Sequence, residues 1–293
     1  MKVAIYARTP MASSPWELYK ALRKYTDVDV SLINQRFRYA DGRYFPYHLL
    51  MGRDNGMAIK ALREADLWHI HNYLDADVVA LRKDQRVLAQ FHSLPRLGNW
   101  DELMRFADLS YTIRQPLQEQ EYMIPGLPNL IDPDEYRPIR RTGKIKIAFA
   151  PTSKSPVGNP DSKGYVQVRS VLQHVASERD VKIVMIEKMS YESNLDMKRH
   201  CHILIDDVVT GNWHRTSLEG LCFGCAVVNR VKQAQYVYST LGTLREKLLW
   251  LIDNPVVLED YQRRGRLWVL QKWHAMDLVQ NYVRAYEGVL NND

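Results

Sequence analysis

The sequence predicts an α/β fold of two domains, each with a parallel β-sheet covered by helices on both faces. Short apolar segments suited to buried strands alternate with segments of helical periodicity along nearly the whole chain. A stretch rich in proline and glycine interrupts this alternation near the middle, as an interdomain linker would. The length of 293 residues suits two domains of ordinary size.

In the first half, strands and helices alternate from the N-terminus. Ser14 and Pro15, with Glu17 in the first turn, are typical of a helix N-terminus. Because a strand–helix–strand repeat makes consecutive strands parallel, residues 1–125 are predicted to form one domain. The predicted strands are 3–6, 28–33, 67–71, 87–90 and 109–112, and the predicted helices are 16–25, 57–63, 78–81 and 103–106.

The second half repeats the pattern after a linker predicted at 126–144. The run from Pro125 to Lys144 holds four prolines and two glycines. A second domain is predicted at 145–272, followed by a C-terminal helical segment at 273–293 with one apolar stripe. The predicted strands are 145–150, 181–186, 202–205 and 226–228, and the predicted helices are 163–175, 195–199, 217–223, 241–252, 257–270 and 277–290.

The composition argues against a membrane-spanning protein and against a disulfide-rich secreted protein. The chain has a net charge of +6, which permits an anionic partner without identifying one. It holds no run of about 18 apolar residues, so no transmembrane helix is expected, and the first strand is too short for a signal peptide. Three cysteines do not make a disulfide framework, and Cys222 and Cys225 are expected to pack as small apolar side chains. A cytoplasmic protein is expected.

The stretch 201–229 predicts a strand, a loop, a helix and a second strand. Its first strand ends at Asp206 and Asp207. Gly211 lies in the loop, where it is free to take a positive φ. Ligands of open α/β sheets bind at the carboxyl ends of strands, so this loop is a candidate ligand site.

The helix after the loop is predicted to begin at Ser217. Phosphates favour helix N-termini, and Glu219 would lie within reach of a ribose diol. A phosphate-bearing ligand is therefore predicted here. The alternative is a plain doubly wound domain in which Ser217 and Glu219 only begin a helix.

The run Ser-Leu-Glu-Gly-Leu at 217–221, followed by Gly-Cys-Ala-Val-Val at 224–228, resembles the donor-binding region of retaining GT-B glycosyltransferases of the family 4 type. Those enzymes carry a Glu-x7-Glu element, whose first glutamate contacts the donor sugar and whose second contacts the nucleotide ribose. The resemblance implies donor-binding roles for Ser217, Leu218 and Glu219. It implies a fold of two Rossmann-like domains facing a cleft, with the C-terminal helix crossing back onto the N-terminal domain.

The first half of that element departs from the family pattern. Gly211 occupies the position eight residues before Glu219, where the family has its first glutamate. His214 stands where the family usually has a glycine. We expect Gly211 and His214 to line the donor site, with His214 hydrogen-bonded to phosphate or sugar in place of the missing carboxylate.

Other positions resemble the family less closely. Lys163 followed by Gly164 at a helix start implies a lysine on the donor diphosphate, where the ammonium and helix N–H groups attract phosphate. Lys154 is a second candidate for the same role. Ser13 lies in the loop that the family uses near the donor phosphates, although this chain has no glycine there. His92, at the end of a strand, matches a family histidine near the donor sugar.

Two histidines precede His92 on the neighbouring strand. His69 and His71 alternate and so face one side. A metal pair is conceivable, but no third ligand is assignable from the sequence, and lining of the core or site is the alternative. The resemblance implies no metal, because helix termini and lysine would neutralise the departing diphosphate.

One stretch concentrates the positive charge. Between residues 20 and 63 there are nine basic and four acidic residues. Arg36, Arg38 and Arg43 interleave with aromatic residues, which suits stacking on bases and pairing with phosphates. The alternative is a surface loop with ordinary solvated arginines.

The resemblance implies a glycosyltransferase that moves a sugar from a nucleotide-diphosphate sugar, expected to be a UDP-sugar, to an acceptor hydroxyl. An anionic acceptor is expected, either a hydroxylated base in DNA or a cell-envelope glycan. A nucleotide-sugar-binding module without activity and a nucleotide-sugar epimerase are the alternatives.

Overall fold

The computed structural model describes residues 1–39, 43–93, 100–113, 124–151 and 163–291. The chain divides into two compact units: unit 1 contains Met1–Asp132 and Ala275–Asp293, and unit 2 contains Pro133–His274. The division lies inside the predicted linker 126–144. Lys154 falls outside the described residues. None of the described helices is both long and apolar enough to span a membrane.

Unit 1 is built on a parallel sheet whose strands have the order β3-β2-β1-β4-β5-β6-β7. The described strands are β1 (Lys2–Ala7), β2 (Asp29–Asn34), β3 (Leu49–Leu50), β4 (Leu67–His71), β5 (Arg86–Phe91), β6 (Leu109–Ile113) and β7 (Gly126–Leu127). The two-residue strands β3 and β7 were not predicted, because two residues show no periodicity. The five longer strands were predicted to within one or two residues at either end.

Helices cover both faces of this sheet. They are α1 (Ser14–Tyr25), α2 (Asn55–Glu64), α3 (Ala76–Val79) and α4 (Trp100–Phe106), joined later by the C-terminal helix Ala275–Asn291. The C-terminal helix buries an apolar stripe that includes Val279, Tyr282 and Tyr286 against the same core as α1 and the sheet residue Ile5. The C-terminal helix therefore belongs to the core of unit 1.

Unit 2 contains a second parallel sheet with the order β12-β11-β10-β8-β9. Its strands are β8 (Lys146–Phe149), β9 (Lys182–Met185), β10 (Ile203–Ile205), β11 (Ala226–Asn229) and β12 (Val237–Tyr238). Its helices are α5 (Tyr165–Glu178), α6 (Tyr191–Arg199), α7 (Arg215–Cys222), α8 (Leu244–Asp253) and α9 (Pro255–Lys272), which makes the C-terminal helix α10. The predicted α/β class is confirmed, while α7 begins at Arg215 and not at Ser217.

Both sheets have one point where consecutive connections leave in opposite directions. In unit 1 the chain passes from β1 to β2 on one side and returns to β4 on the other; in unit 2 it passes from β8 to β9 and returns to β10. Such switch points open a crevice at the carboxyl ends of the two central strands, where doubly wound sheets bind ligands. The candidate sites are therefore sought beside Ala7 and His71, and beside Phe149 and Ile205, which are paired in register.

Candidate functional site

The switch point of unit 2 holds a buried ion pair. Lys163 Nζ lies 2.5 Å from Asp206 Oδ1, and the two side chains are 3% and 0% exposed. Asp206 directly follows β10, and Lys163 stands just before α5, the helix that follows β8. The two residues thus reach the crevice from the two strands that diverge there.

The backbone at Lys163 and Gly164 is left-handed, with φ of 48° and 72°. A Cβ at Gly164 would lie 2.9 Å from the Cγ2 of Val209, so this position combines a positive φ with close packing. Glycine after Lys163 is therefore required by the turn itself, independently of any ligand.

Asp206 gathers donors from the start of α7. Its Oδ2 accepts from the backbone N–H of His214 at 2.8 Å and from the Ser217 hydroxyl at 2.7 Å. Burial alone would raise the pKa of Asp206, but the charges of Lys163 and His214, with the hydrogen bonds from Lys163 and Ser217, lower it well below its ordinary value. Asp206 is consequently a fixed anion that holds Lys163 beside the first turn of α7.

Asp207 organises the loop before α7. Its carboxylate accepts from the backbone N–H groups of Val209 and Thr210 at 2.7 and 2.9 Å and from the Thr210 hydroxyl. His214 Nε2 lies 3.2 Å from Asp207 Oδ2, and the His214 side chain is 31% exposed. Gly211 has a φ of 88°, as predicted. Asp207 thus orients a partly exposed titratable side chain at this edge of the sheet.

Glu219 lies on the other side of α7 from Ser217, because two residues on a helix are about 200° apart. Its carboxylate pairs with Lys198 Nζ at 2.5 Å and with Arg215 Nε at 3.1 Å, and all three side chains are 5% exposed. Leu218, between them, is fully buried. The structure therefore joins Ser217 and His214 to Lys163, whereas Glu219 belongs to a separate buried ion cluster.

In unit 1, His92 stands one residue beyond β5, beside the end of β4. Its backbone N–H donates to Asn72 Oδ1 at 2.6 Å, and its Nε2 lies 2.7 Å from His71 Nδ1. Asn72 takes a left-handed φ of 61° and also donates to the Ser93 hydroxyl at 3.3 Å. Burial lowers the pKa of His92 to about 4. His92 is thus a neutral imidazole held from two directions at the carboxyl edge of the sheet.

Sequence reasoning missed a second ion pair at the switch point of unit 1. Arg8 Nη2 lies 2.7 Å from Asp75 Oδ1, and its guanidinium sits 4.7 Å from the ring centroid of Tyr73. The Tyr6 hydroxyl also donates to Asp75. The arginine is the first residue after β1, a position at the carboxyl edge that could have marked it.

The loop after Arg8 is strained. Met11, Ala12 and Ser13 have φ of 47°, 50° and 68° without a glycine among them. A left-handed conformation costs about 1–2 kcal/mol for an ordinary residue. Ser13 is 1% exposed, and its hydroxyl finds no hydrogen-bond partner within the described part of the chain. Strain and an unsatisfied polar atom are features that concentrate at functional sites.

The stretch containing Arg36, Arg38 and Arg43 forms two antiparallel arms, 36–39 and 43–47, which we call the arginine–aromatic hairpin. Arg38 pairs with Tyr44 across the arms. Arg36 and Arg38 are exposed, while the Arg43 guanidinium lies 4.8 Å from the ring centroid of Tyr39. The Tyr39 hydroxyl accepts from the backbone N–H of Ala12 at 2.9 Å. The hairpin is therefore attached to the strained loop at the carboxyl edge of unit 1.

Solved structures share this fold over nearly its full length, although no family model and no curated protein matches the sequence. A glycosyltransferase from Rickettsia africae ESF-5 matches with a TM-score of 0.67 at 12% identity, over 99% of each chain. An α-glucosyltransferase solved with UDP-glucose and DNA containing an abasic site matches with 0.65 at 10% identity, over 99% of each chain. Anabaena HepE in complex with UDP-glucose matches with 0.65 at 9% identity, over 98% of this chain and 100% of that one. The chain therefore has the GT-B fold.

Proposed function

We propose that this protein is a glycosyltransferase that moves a sugar from a UDP-sugar to an acceptor hydroxyl, with retention of the anomeric configuration. The observation that carries the proposal is the Lys163–Asp206–Ser217 cluster at the switch point of the unit 2 sheet. Ligands of doubly wound sheets bind at such points. Two proteins with the same fold over the whole chain were solved with UDP-glucose, which supports UDP as the nucleotide.

The chemical step in such an enzyme builds negative charge on the departing diphosphate. A fixed cation and helix N–H groups stabilise that charge without reorganising. Lys163 has three N–H donors and uses one of them on Asp206. We assign Lys163 to the diphosphate and the partly exposed His214 ring to phosphate or sugar, as a substitute for the glutamate that the family has at the position of Gly211. This arrangement needs no bound metal.

The ribose is assigned to Glu219 with a restriction. A carboxylate offers about four lone-pair sites, and Lys198 and Arg215 engage one oxygen each. Ribose hydroxyls would use the remaining sites, so that the ion cluster holds the carboxylate in position. With this assignment, Glu219 can bind the ribose while its ion pairs with Lys198 and Arg215 remain intact.

A panel of nucleotide sugars separates the candidate activities. Release of UDP that depends on an acceptor supports the transferase, isomerisation of the sugar would indicate an epimerase, and binding without turnover would indicate a binding module. Transfer that survives EDTA treatment supports the metal-free site, and NMR of the product's anomeric proton reports retention or inversion.

Lys163→Ala tests the cluster directly. We expect turnover to fall by at least about tenfold, because the lost charge acts on the developing diphosphate, while binding of the bare nucleoside changes less. Lys146→Ala is the matched control, since Lys146 is the first residue of β8 and lies at the opposite end of the strand. Equal turnover in the two variants would remove Lys163 from the reaction.

The acceptor is proposed to be anionic and to bind the arginine–aromatic hairpin, with DNA as the candidate. Arg36 and Arg38 are exposed and alternate along one arm, about 6.6 Å apart along the strand. Aromatic rings at Phe37 and Tyr44 lie 5.7 Å apart, centroid to centroid, and offer faces for stacking on bases. One of the proteins with this fold was solved with DNA.

Salt dependence distinguishes DNA from an uncharged acceptor. Each phosphate neutralised contributes about −0.9 to the slope of log affinity against log salt concentration. Arg36→Ala with Arg38→Ala should therefore flatten the slope by about 2. Arg63→Ala with Arg105→Ala removes the same charge from exposed positions on α2 and α4 and should leave the slope nearly unchanged. A protein that binds no DNA at low salt would leave a cell-envelope glycan as the candidate acceptor.

A cytoplasmic location is proposed as well. Cys201, Cys222 and Cys225 are all free and buried, and burial raises the pKa of Cys201 to about 12 and that of Cys225 to about 11. Free thiols in this number suit a reducing compartment. Cell fractionation with an antibody against the chain tests the location.

A further inference from the structure

The charges fixed at the unit 2 site do not by themselves favour an anion. Lys163 is paired with Asp206, and both side chains are buried. Burial alone would raise the pKa of Asp207, but the hydrogen bond and charge of His214, with the hydrogen bonds from Thr210, lower it. One ammonium therefore accompanies two carboxylates, and a protonated His214 would only balance them. A diphosphate carries more than one negative charge, so these groups alone give it little ground-state affinity.

The start of α7 is already partly occupied by a negative charge. Backbone N–H groups at a helix N-terminus attract anions. Asp206 lies there, because its Oδ2 accepts from the backbone N–H of His214 and from the Ser217 hydroxyl. The Ser217 hydroxyl has one proton, which is used on Asp206. A diphosphate bound beside Lys163 therefore needs a further cation at the carboxyl edge of the unit 2 sheet.

Arg230 is a cation at that edge. It is the first residue after β11, which is parallel to β10 and paired with it in register, so that the two strands end at the same edge. The backbone N–H of Arg230 donates to the Asp207 carbonyl at 2.8 Å. Its Nη1 donates to the Val209 carbonyl. The guanidinium is thus held against the loop that joins β10 to α7.

Val209 connects the guanidinium to the turn that carries Lys163. A Cβ at Gly164 would lie 2.9 Å from Val209 Cγ2, so the Val209 side chain packs directly on Gly164, the residue after Lys163. Arg230 is exposed, and no carboxylate of the described residues pairs with it. A guanidinium that uses one N–H on a carbonyl keeps most of its donors for a ligand. Arg230 therefore adds an uncompensated positive charge beside Lys163.

We propose that Arg230 binds the diphosphate of the nucleotide sugar and supplies the ground-state affinity that the paired Lys163 does not. The role rests on the proposed glycosyl transfer. A planar guanidinium forms paired hydrogen bonds with phosphate oxygens, and the Val209 carbonyl fixes its position before the ligand arrives. The two cations thus have different tasks. Arg230 sets the affinity for the diphosphate, and Lys163 stabilises the charge that develops on it during the reaction.

Calorimetric titrations with UDP and with uridine test this role without an acceptor. Arg230→Ala should weaken UDP binding about tenfold, the loss expected for one hydrogen-bonded charged contact. Uridine has no phosphate, so its affinity should be nearly unchanged. Arg230→Lys keeps the charge but not the planar fork and should fall between the two. A UDP affinity in Arg230→Ala equal to that of the unsubstituted protein would overturn the proposal.

Lys232→Ala provides the matched control. Lys232 is also exposed and lies two residues further along the same connection. Its ammonium lies 5.3 Å from the ring centroid of Tyr238 on β12, which is on the opposite side of β11 from β10. The variant removes the same charge and should leave UDP affinity nearly unchanged. Equal losses in Lys232→Ala and Arg230→Ala would reduce the effect to net charge and refute a specific contact.

Steady-state kinetics separate the two cations. Arg230→Ala should raise the KM for the UDP-sugar about tenfold with a much smaller change in kcat, whereas Lys163→Ala should mainly lower kcat. A lowered kcat with an unchanged KM in Arg230→Ala would contradict the division of tasks. UDP binding that depends on Arg230 in a protein that transfers no sugar would refute the proposed function and leave the binding role intact. An unsubstituted protein that binds no UDP would refute both.

Discussion

Glu219 offers a sharp test, because the sequence and the structure suggest different consequences of removing it. The resemblance to family 4 enzymes assigns Glu219 to the ribose, so that Glu219→Ala should weaken nucleotide binding tenfold or more without unfolding the protein. The structure surrounds the carboxylate with Lys198 at 2.5 Å and Arg215 at 3.1 Å. Loss of the carboxylate would leave two buried cations facing each other.

The expected cost is large on the scale of protein stability. Removal of one partner from a buried ion pair typically costs about 3–5 kcal/mol, since the other charge stays buried without compensation. A domain is stable by only about 5–15 kcal/mol. Glu219→Ala should therefore lower the free energy of unfolding by several kcal/mol and can mimic a binding defect by unfolding the nucleotide site.

A double variant separates the two effects. Lys198→Met with Glu219→Gln removes one charge of each sign and keeps the side-chain volumes similar, so it should recover much of the stability that Glu219→Ala loses. Urea titrations with comparable m-values measure the unfolding free energies, and calorimetry measures UDP affinity at a temperature where every variant is folded. If Glu219→Ala costs less than about 1 kcal/mol, the value typical of an exposed pair, the reasoning from burial is wrong.

Two further experiments test the buried histidines His69 and His71 and the tightly packed Gly164. Burial lowers the folded pKa of His69 to about 3 and also lowers that of His71, so their contribution to stability is complete above the unfolded pKa near 6.5 and is lost progressively as the pH falls from there toward the folded pKa values. The free energy of unfolding should drop by up to about 1.4 kcal/mol per pH unit for each histidine between pH 6.5 and 4. Urea titrations of His71→Gln should show a smaller dependence of this free energy on pH. An unfolding free energy of the unsubstituted protein that does not change with pH would contradict the burial of neutral rings. Gly164→Ala should destabilise the protein more than Gly143→Ala in thermal unfolding, because both have a positive φ but only the first Cβ meets Val209, at 2.9 Å; equal effects would rule out the packing term.

Much of the fold can be predicted from local patterns. Strands of four or more apolar residues and helices with one apolar stripe carry a periodic signal, and β1, β4 and β5 were predicted to within one residue at either end. The positive φ of Gly211 was predicted from the loop context. The strands β3 and β12, of two residues each, are fixed by pairing with their neighbours and leave no pattern in the sequence.

The candidate site was predictable in its location and only partly in its contacts. Lys163 and Ser217 were named because each begins a helix near a strand end, and the structure joins both to Asp206. Which partner a charged side chain chooses depends on the direction in which it leaves its helix, and residue type alone does not reveal it. Ser217 and Glu219 are two residues apart on α7 and therefore point in different directions. Ser217 contacts Asp206, whereas Glu219 contacts Lys198.

Each of the two units has an ion pair at the switch point of its sheet. In each, a basic residue that follows the first strand of the sheet pairs with a carboxylate that follows the strand across the crevice: Arg8 with Asp75, and Lys163 with Asp206. Lys163 is buried, and a buried cation without a partner would be costly, so Asp206 stabilises the fold while no anion is bound. Arg8 is 36% exposed, so its pairing with Asp75 contributes less. The same carboxylate opposes an incoming phosphate by like-charge repulsion, which lowers the net affinity that the cation can supply. The carboxylate thus holds the cation in position but weakens its binding of the phosphate in the ground state. Such a cation is best suited to stabilise the extra negative charge that develops on the leaving group in the transition state.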